Sequence, residues 1–599
     1  MLLKQKTYGF VDMITFSFKV SAFYSSLFAL KAVFDALLPT AQIFVSAYFI
    51  NTALAIFSGD AVLSAVYAPI ALLAGILSYN VLQNVLESFI DCRRKILFRR
   101  RLAPEVLEKR AKLEYRHIEN PDTADLVSRV CPDLDKKVWD MYSQILHLLN
   151  LILFAAGIMI TLFSQAWWIA VTMFLTSLPL VYIASKAGKA SYDADREVSK
   201  IERRADYLSD VLKSREAVEE RSIFGYADEL NKQFYEQFEF ARKFRLKVIR
   251  NMFVKLKAGG IVGSLYSIGV MMALIGSTAA GYISIGMFIA LVGAVTNLAR
   301  RLSWGLDFEI QAIAKHKEYL KDLSEFVHLD ENPDATALPD RNIDFNVIEF
   351  KNVRFRYPDT DTVILDGVSF SIEKGKHYAF VGTNGAGKTT ITKLLTGLYS
   401  NYEGEILVDG RNLRDFTQAQ IKGLTSVVYQ DFAKYQMTLF DNVAIADLED
   451  SSNKRKKVTE ALELVGMAEF ASNLKNGLDT ALGKILKNGV DLSGGEWQRT
   501  AMARSVISAA PIKILDEPTS ALDPISESIM YRNFEKISKT TTIFISHRLG
   551  STKLADTIYV LSDGKIVEKG SHASLMIANG VYSEMFNSQA EWYDYKEVS

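Results

Sequence analysis

Residues His377 to Tyr399 read His-Tyr-Ala-Phe-Val-Gly-Thr-Asn-Gly-Ala-Gly-Lys-Thr-Thr-Ile-Thr-Lys-Leu-Leu-Thr-Gly-Leu-Tyr, and their pattern decides the fold of the carboxy-terminal half. His377 to Val381 predicts a strand and Lys388 to Tyr399 a helix. The turn between them, Gly382-Thr383-Asn384-Gly385-Ala386-Gly387-Lys388-Thr389, matches G-x-x-x-x-G-K-[ST] in the strand, loop, helix order that the motif requires. Its glycines let backbone N–H groups close around phosphate oxygens, and the helix N-terminus adds positive dipole. Lys388 supplies a point charge, Thr389 can ligate Mg²⁺, and Thr390 continues the phosphate-binding turn.

Farther on, Ile512-Lys513-Ile514-Leu515 predicts another strand, ending in Asp516-Glu517. An acid at a strand end beside a phosphate loop can hold the Mg²⁺ shell, and a second can orient or deprotonate an attacking water. Asp516 suits the metal and Glu517 the water. Short β-rich runs separated by turns and helices read as one α/β domain over 346–599, preceded by a charged linker over 321–345.

The region 1–320 is different in kind. Nothing from Ala36 to Gly59, from Ala61 to Leu86, from Met141 to Ser185 or from Ala258 to Ala299 is Asp, Glu, Lys or Arg. A hydrocarbon core is spanned by about 20 apolar residues as helix, so the first two windows hold one span each and the last two hold two, about six in all. Turns are expected at Ser164-Gln165 and from Gly281 to Gly286. The linkers Glu87 to Asp140 and Lys186 to Lys257 read as helical and are rich in Arg and Lys, whereas the short loops opposite have none, which puts both termini and both linkers on the cytoplasmic side. Each linker has a break, at Asn120-Pro121 and at Phe224-Gly225, and no cleavable secretion signal is expected. Over all 599 residues, 69 basic and 69 acidic side chains cancel, which argues against a nucleic-acid partner. Two cysteines, Cys92 and Cys131, cannot form a disulfide framework and are expected as free thiols.

Between the two nucleotide motifs lies Leu492-Ser493-Gly494-Gly495-Glu496, which resembles the signature of ATP-binding cassette (ABC) transporters; Asp516-Glu517-Pro518-Thr519 and Ser520-Ala521-Leu522-Asp523 extend the likeness. With the membrane spans it covers nearly the whole chain and resembles an ABC exporter half-transporter. The fold class implied is a multidomain membrane protein, an all-α six-helix transmembrane domain of exporter type plus an α/β P-loop nucleotide-binding domain. ATP and Mg²⁺ are the cofactors that the resemblance implies. Tyr357, in Phe355-Arg356-Tyr357-Pro358, matches the aromatic that stacks on adenine. Gln430 matches the glutamine that touches Mg²⁺ or water and senses the membrane domain, and His547 the histidine that contacts the γ-phosphate. Asp523 falls in the same nucleotide-binding set.

The resemblance further implies that Ser493, Gly494 and Gly495 serve the γ-phosphate of ATP held by another subunit, so that each site is shared across a dimer. Lys388, Gln430, Ser493, Gly495, Glu517 and His547 are all present, which suits a homodimer or the intact member of a heterodimer. Two departures stand out. Lys484, in Thr480 to Asp491, replaces the acid that multidrug-type exporters carry, and Lys513 interrupts the customary apolar strand. Gln430 to Tyr435 and the run from Ile545 to His572 are similar to bacterial lantibiotic and bacteriocin exporters, which points to a peptide cargo and a bacterial cell membrane; no amino-terminal peptidase domain is expected, because the first span begins within about the first 35 residues. A lipid flippase or drug exporter, an ATP-gated channel or sensor, and an importer stay open as alternatives. Lys31 and Asp35, at i and i+4 on an apolar helix, are candidates for the cargo path, with pairing as the plainer reading.

Overall fold

A computed structural model describes residues 2–214, 217–448, 453–518, 540–546 and 550–591. The chain forms two compact units, Met1–Arg110 with Asp122–Leu329, and Ala111–Pro121 with the chain from Asp330 onward.

The first unit is helical: α1 (Phe10–Val20), α2 (Ala22–Phe57), α3 (Tyr67–Lys112), then, after the short α4 (Tyr115–Glu119) of the second unit, α5 (Pro121–Val130), α6 (Leu134–Lys213), α7 (Val218–Phe224), α8 (Ala227–Ala279) and α9 (Ile285–His328). Among the described residues, Ala22–Phe57, Leu63–Lys112 and Leu134–Gln165 are long and apolar enough to cross a membrane, and 17%, 6% and 33% of their most apolar windows are buried. So much uncovered apolar surface is far beyond what water tolerates on one protein, and a bilayer is the solvent that accepts it. The later apolar windows run through helix positions whose side chains lie outside the described residues.

The expected breaks have local causes. Pro121 opens α5, where a missing N–H costs nothing, and Gly225 ends α7 at φ +63 with its N–H on the Arg221 carbonyl at 3.1 Å. Gly281, φ +79, turns α8 into α9, and the Ser284 hydroxyl caps α9 by accepting from Met287 N at 3.2 Å. At Ser164-Gln165 the expected turn does not interrupt the helix. Neither residue is a breaker, and the Ser164 hydroxyl donates to the Thr161 carbonyl at 2.8 Å instead of leading into a loop. The partners of α6 change along its length: Tyr142 and Asn150 donate to α2 carbonyls, of Ser25 at 2.7 Å and Ala32 at 2.9 Å, whereas Glu202 pairs with Arg245 of α8 at 3.1 Å. Helix α9 continues to His328, past 320, because Leu320, Leu323, Phe326 and Val327 are a buried stripe on it.

Lys31 and Asp35 do pair, at 2.6 Å, and Lys31 also meets Glu87 of α3 at 3.1 Å while Tyr79 donates to Asp35. This polar knot ties α2 to α3. Cys92 and Cys131 are free thiols.

The second unit carries two sheets. One is antiparallel, in the order β2 (Val363–Glu373), β1 (Val347–Arg356), β4 (Glu403–Val408), β5 (Arg411–Asn412). The other runs β10 (Lys565–Gly570), β9 (Thr557–Ser562), β3 (His377–Gly382), β8 (Thr541–Ile545), β7 (Ile512–Asp516), β6 (Thr425–Val428), parallel except for β10. Every residue of β7 and β8 is buried, as expected of parallel strands covered on both faces. Helix α10 (Lys388–Leu395) leaves the carboxyl end of β3, and Asp516 ends β7 on the same sheet edge, where open α/β sheets bind their ligands.

Gly286 shows what membrane-helix packing demands. A Cβ there would lie 2.4 Å from the Ala47 carbonyl of α2, and its N–H already donates to Asn51 at 2.9 Å. Gly286→Val should therefore lower stability by about 1–3 kcal/mol through overpacking, read as a lower thermal midpoint in detergent. An unchanged midpoint would mean that the two helices do not meet there.

Candidate active site

The phosphate loop is built by backbone that other residues resist. Gly382, Gly385 and Gly387 have φ of +152, +81 and +99, and a Cβ on Gly382 would stand 2.2 Å from the Leu561 carbonyl. The loop wraps the start of α10, so its amides and the helix N-terminus point into one cleft of about 680 Å³. Asn384, Gly385, Gly387, Lys388, Thr389 and Thr390 line that cleft, and Tyr357, Gln430 and Glu517 reach it from three other segments. Thr383 lies in the same loop, and Ala386 turns inward, 3% exposed, to anchor it.

Lys388 is 5% exposed and donates to the carbonyls of Gly382 and Thr383, both at 2.9 Å. Burial lowers its pKa, with Glu517 and Asp516 opposing. An ammonium held by weak neutral acceptors beside the cleft is poised to exchange them for phosphate oxygens. Asp516 is 2% exposed, and burial, aided by the neighbouring Glu517, pushes its carboxyl up to about 6 against the Thr389 hydroxyl and Lys388. A desolvated carboxylate bonded to a hydroxyl is a pair of hard oxygen donors, which fits Mg²⁺. Gln430 adds an amide to the same cleft.

Glu517 sits at φ +47, a left-handed conformation unusual for a side chain this long. Its N–H donates to the Ile545 carbonyl at 2.8 Å, and Gln498, 1% exposed, donates to its carbonyl at 3.4 Å. Gln498 escaped the sequence reading. Its signal was its place on the helix that follows the signature, Gly494–Ile507.

The signature itself lies elsewhere. Ser493 caps that helix in a reciprocal box with Glu496, donating and accepting at 2.7 and 3.3 Å, and Ser493 and Gly494 are exposed. Ser493, Gly494 and Gly495 are not among the residues that line the cleft with Lys388. One chain thus brings together the phosphate loop, Asp516, Glu517, Gln430 and Tyr357 and leaves the capped N-terminus of the signature helix exposed outside the cleft. His547 and Asp523 lie outside the described residues.

Both departures find partners. Lys484 pairs with Asp491 at 3.5 Å, and its backbone N–H donates to Gln436 at 3.2 Å. Lys513 is 4% exposed and donates to the carbonyls of Ser505 and Ser508, at 2.7 and 2.5 Å, where the signature helix ends. The N–H donors of its side chain satisfy carbonyls that the helix end leaves orphaned, so this lysine fastens the helix to the strand that carries Asp516.

Residues 365–520 match the family described as ABC transporter. The chain is similar to the subtilin transport ATP-binding protein SpaT of Bacillus subtilis, 28% identical over 568 residues, which cover 93% of this chain and 90% of that one. It is also similar to the ATP-dependent lipid A-core flippase of Escherichia coli K12, 41% identical, but only over 243 residues, 40% of this chain and 41% of the flippase. A solved structure of a bacterial Atm1-family ABC exporter with ATP bound superposes with a TM-score of 0.77 at 25% identity, over 94% of this chain and 98% of that one.

Burial pushes Lys513 down to about 7. A group whose folded pKa lies below its unfolded value near 10.5 contributes stability above that value and loses it as pH falls toward 7. Between pH 7 and 10 the thermal midpoint of the wild type should accordingly rise relative to that of Lys513→Met. Parallel pH profiles would remove Lys513 as the titrating group.

Proposed function

We propose that this half-transporter, an ABC transporter nucleotide-binding domain fused to a helical membrane domain, exports a peptide across a bacterial cell membrane as a dimer driven by ATP hydrolysis. The observation that carries the engine is the cleft that gathers Lys388, Thr389, Gln430 and Glu517 beside the buried Asp516. The peptide reading rests on the likeness to the subtilin transport protein, which runs through membrane and nucleotide domains alike. The flippase likeness is higher in identity but limited to 243 residues, so it speaks to the engine rather than to lipid as cargo.

In this account the amides from Gly382 to Thr389 hold the phosphates, and Lys388 leaves its loop carbonyls to meet them. Tyr357 stacks on the adenine. Thr389, Asp516 and Gln430 would hold Mg²⁺, which would supply neutralisation of the phosphate charge. Glu517 orients the attacking water from a backbone held by the bonds that Gln498 and Ile545 make to it. The exposed N-terminus of the signature helix faces a second subunit, where Ser493 and Gly495 complete the other nucleotide site. Closure of the paired domains on ATP moves the membrane helices to release cargo, and hydrolysis resets them. By their charge, both termini and the basic linkers are assigned to the cytoplasmic side.

The test is ATP turnover by the full chain in lipid nanodiscs. Glu517→Gln should lower the rate by about 10²-fold or more, since it removes the group that positions the water. Peptides should stimulate the wild type and leave the variant silent. Stimulation by lipid alone would assign the lipid cargo, and full activity of Glu517→Gln would move the catalytic role to another residue.

A further inference from the structure

Ala111–Pro121, which holds the end of α3 and the short α4, belongs with the nucleotide domain, and its Glu119 is built in among the rings beside Tyr357. Glu119 accepts from Lys393 Nζ at 2.7 Å and from the Tyr399 hydroxyl. That ammonium lies 5.2 Å from the ring centre of Tyr357, 5.4 Å from Tyr115 and 6.0 Å from Tyr399. Tyr399 stands edge-on to Tyr357 at 5.5 Å and to Tyr115 at 5.6 Å. The Tyr357 hydroxyl meets the Thr390 hydroxyl at 3.0 Å, and Asn120 donates to Asp359, two residues beyond Tyr357, at 2.8 Å.

The arrangement is a cation held against three phenol faces by one carboxylate. Burial raises the Glu119 carboxyl, but hydrogen bonds from Lys393, Tyr399 and Tyr115 outweigh it and keep the group below the ordinary carboxylate range. Lys393 projects from α10, the helix that begins at the phosphate-binding Lys388. Without the carboxylate, an ammonium at this site has aromatic faces for company and no counter-charge, and its better position is out in water. Tyr357 then loses the cation, and the edge-on Tyr399 loses the carboxylate that holds its hydroxyl.

We infer that Glu119 is a positioning residue for the nucleotide base: from the loop after α3 it fixes Lys393 and Tyr399, and through them the ring of Tyr357 on which adenine stacks. The inference rests on the reading of Tyr357 as the adenine platform. By linkage, a base stacked on Tyr357 strengthens the hold on Glu119 as much as Glu119 strengthens the hold on the base.

The experiment compares ATP with inorganic tripolyphosphate, which has no base, on the full chain in nanodiscs. Glu119→Gln keeps the shape and removes the charge. It should raise KM for ATP about tenfold with a change in kcat of less than about threefold, because ground-state base contacts are lost rather than transition-state ones. Inhibition by tripolyphosphate should stay as strong as in the wild type, which also shows that the variant is folded. Lys393→Met should have the same effect, and the double variant should be no worse than either single one. Unchanged KM in Glu119→Gln, alongside weakened ATP in Tyr357→Ala, would overturn the role of Glu119 alone. Unchanged KM in Tyr357→Ala would overturn the platform beneath it. Equal loss of ATP and tripolyphosphate would reduce Glu119 to a general structural support and overturn the inference as well.

Discussion

A polyphosphate can be gripped by backbone only where several amides face the same way, and that requires a chain reversal few residues permit. Here the reversal runs through Gly382, Gly385 and Gly387, each at positive φ, in the turn between β3 and α10. The rest of the nucleotide domain is arranged around it. β3 lies between β9 and β8, and β8 pairs with β7, so the strand end that bears Asp516 and Glu517 opens on the same edge as the loop. Gln498 and Lys513 then tie the signature helix to the strand that bears Asp516 and Glu517 from two ends.

The membrane unit obeys a different constraint. Its helices leave most of their apolar windows uncovered, so backbone bonds must be satisfied within each helix and polar side chains must find each other. Lys31, Asp35, Glu87 and Tyr79 do so across α2 and α3. The pairing answers the plainer of the two readings of Lys31 and Asp35.

Much of this was legible in the sequence because it is local. The phosphate loop, the strand before Asp516, the signature cap and the breaks at Pro121, Gly225 and Gly281 are each written in a few consecutive residues. What was not legible is long-range. Glu119 and Lys393 are 274 positions apart, and nothing near either one announces the other. Ser164-Gln165 looked like a turn because an apolar stretch of that length needs one, yet without Gly or Pro the Ser164 hydroxyl bonds back to the Thr161 carbonyl and the helix runs on. Lys513 looked like a flaw in a buried strand. Its partners are carbonyls at a helix end that no pattern in the strand could reveal.

The central claim is that the active site is shared between two subunits, because the cleft around Lys388 lacks the signature residues, which cap a separate helix. Mixing two inactive chains tests it directly: one with Lys388→Ala, the other with Ser493→Arg, each dead alone, co-reconstituted in one nanodisc. A shared site predicts that activity reappears in the mixture, since each mixed dimer joins an intact phosphate loop to an intact signature. A mixture as silent as its components would contradict the account.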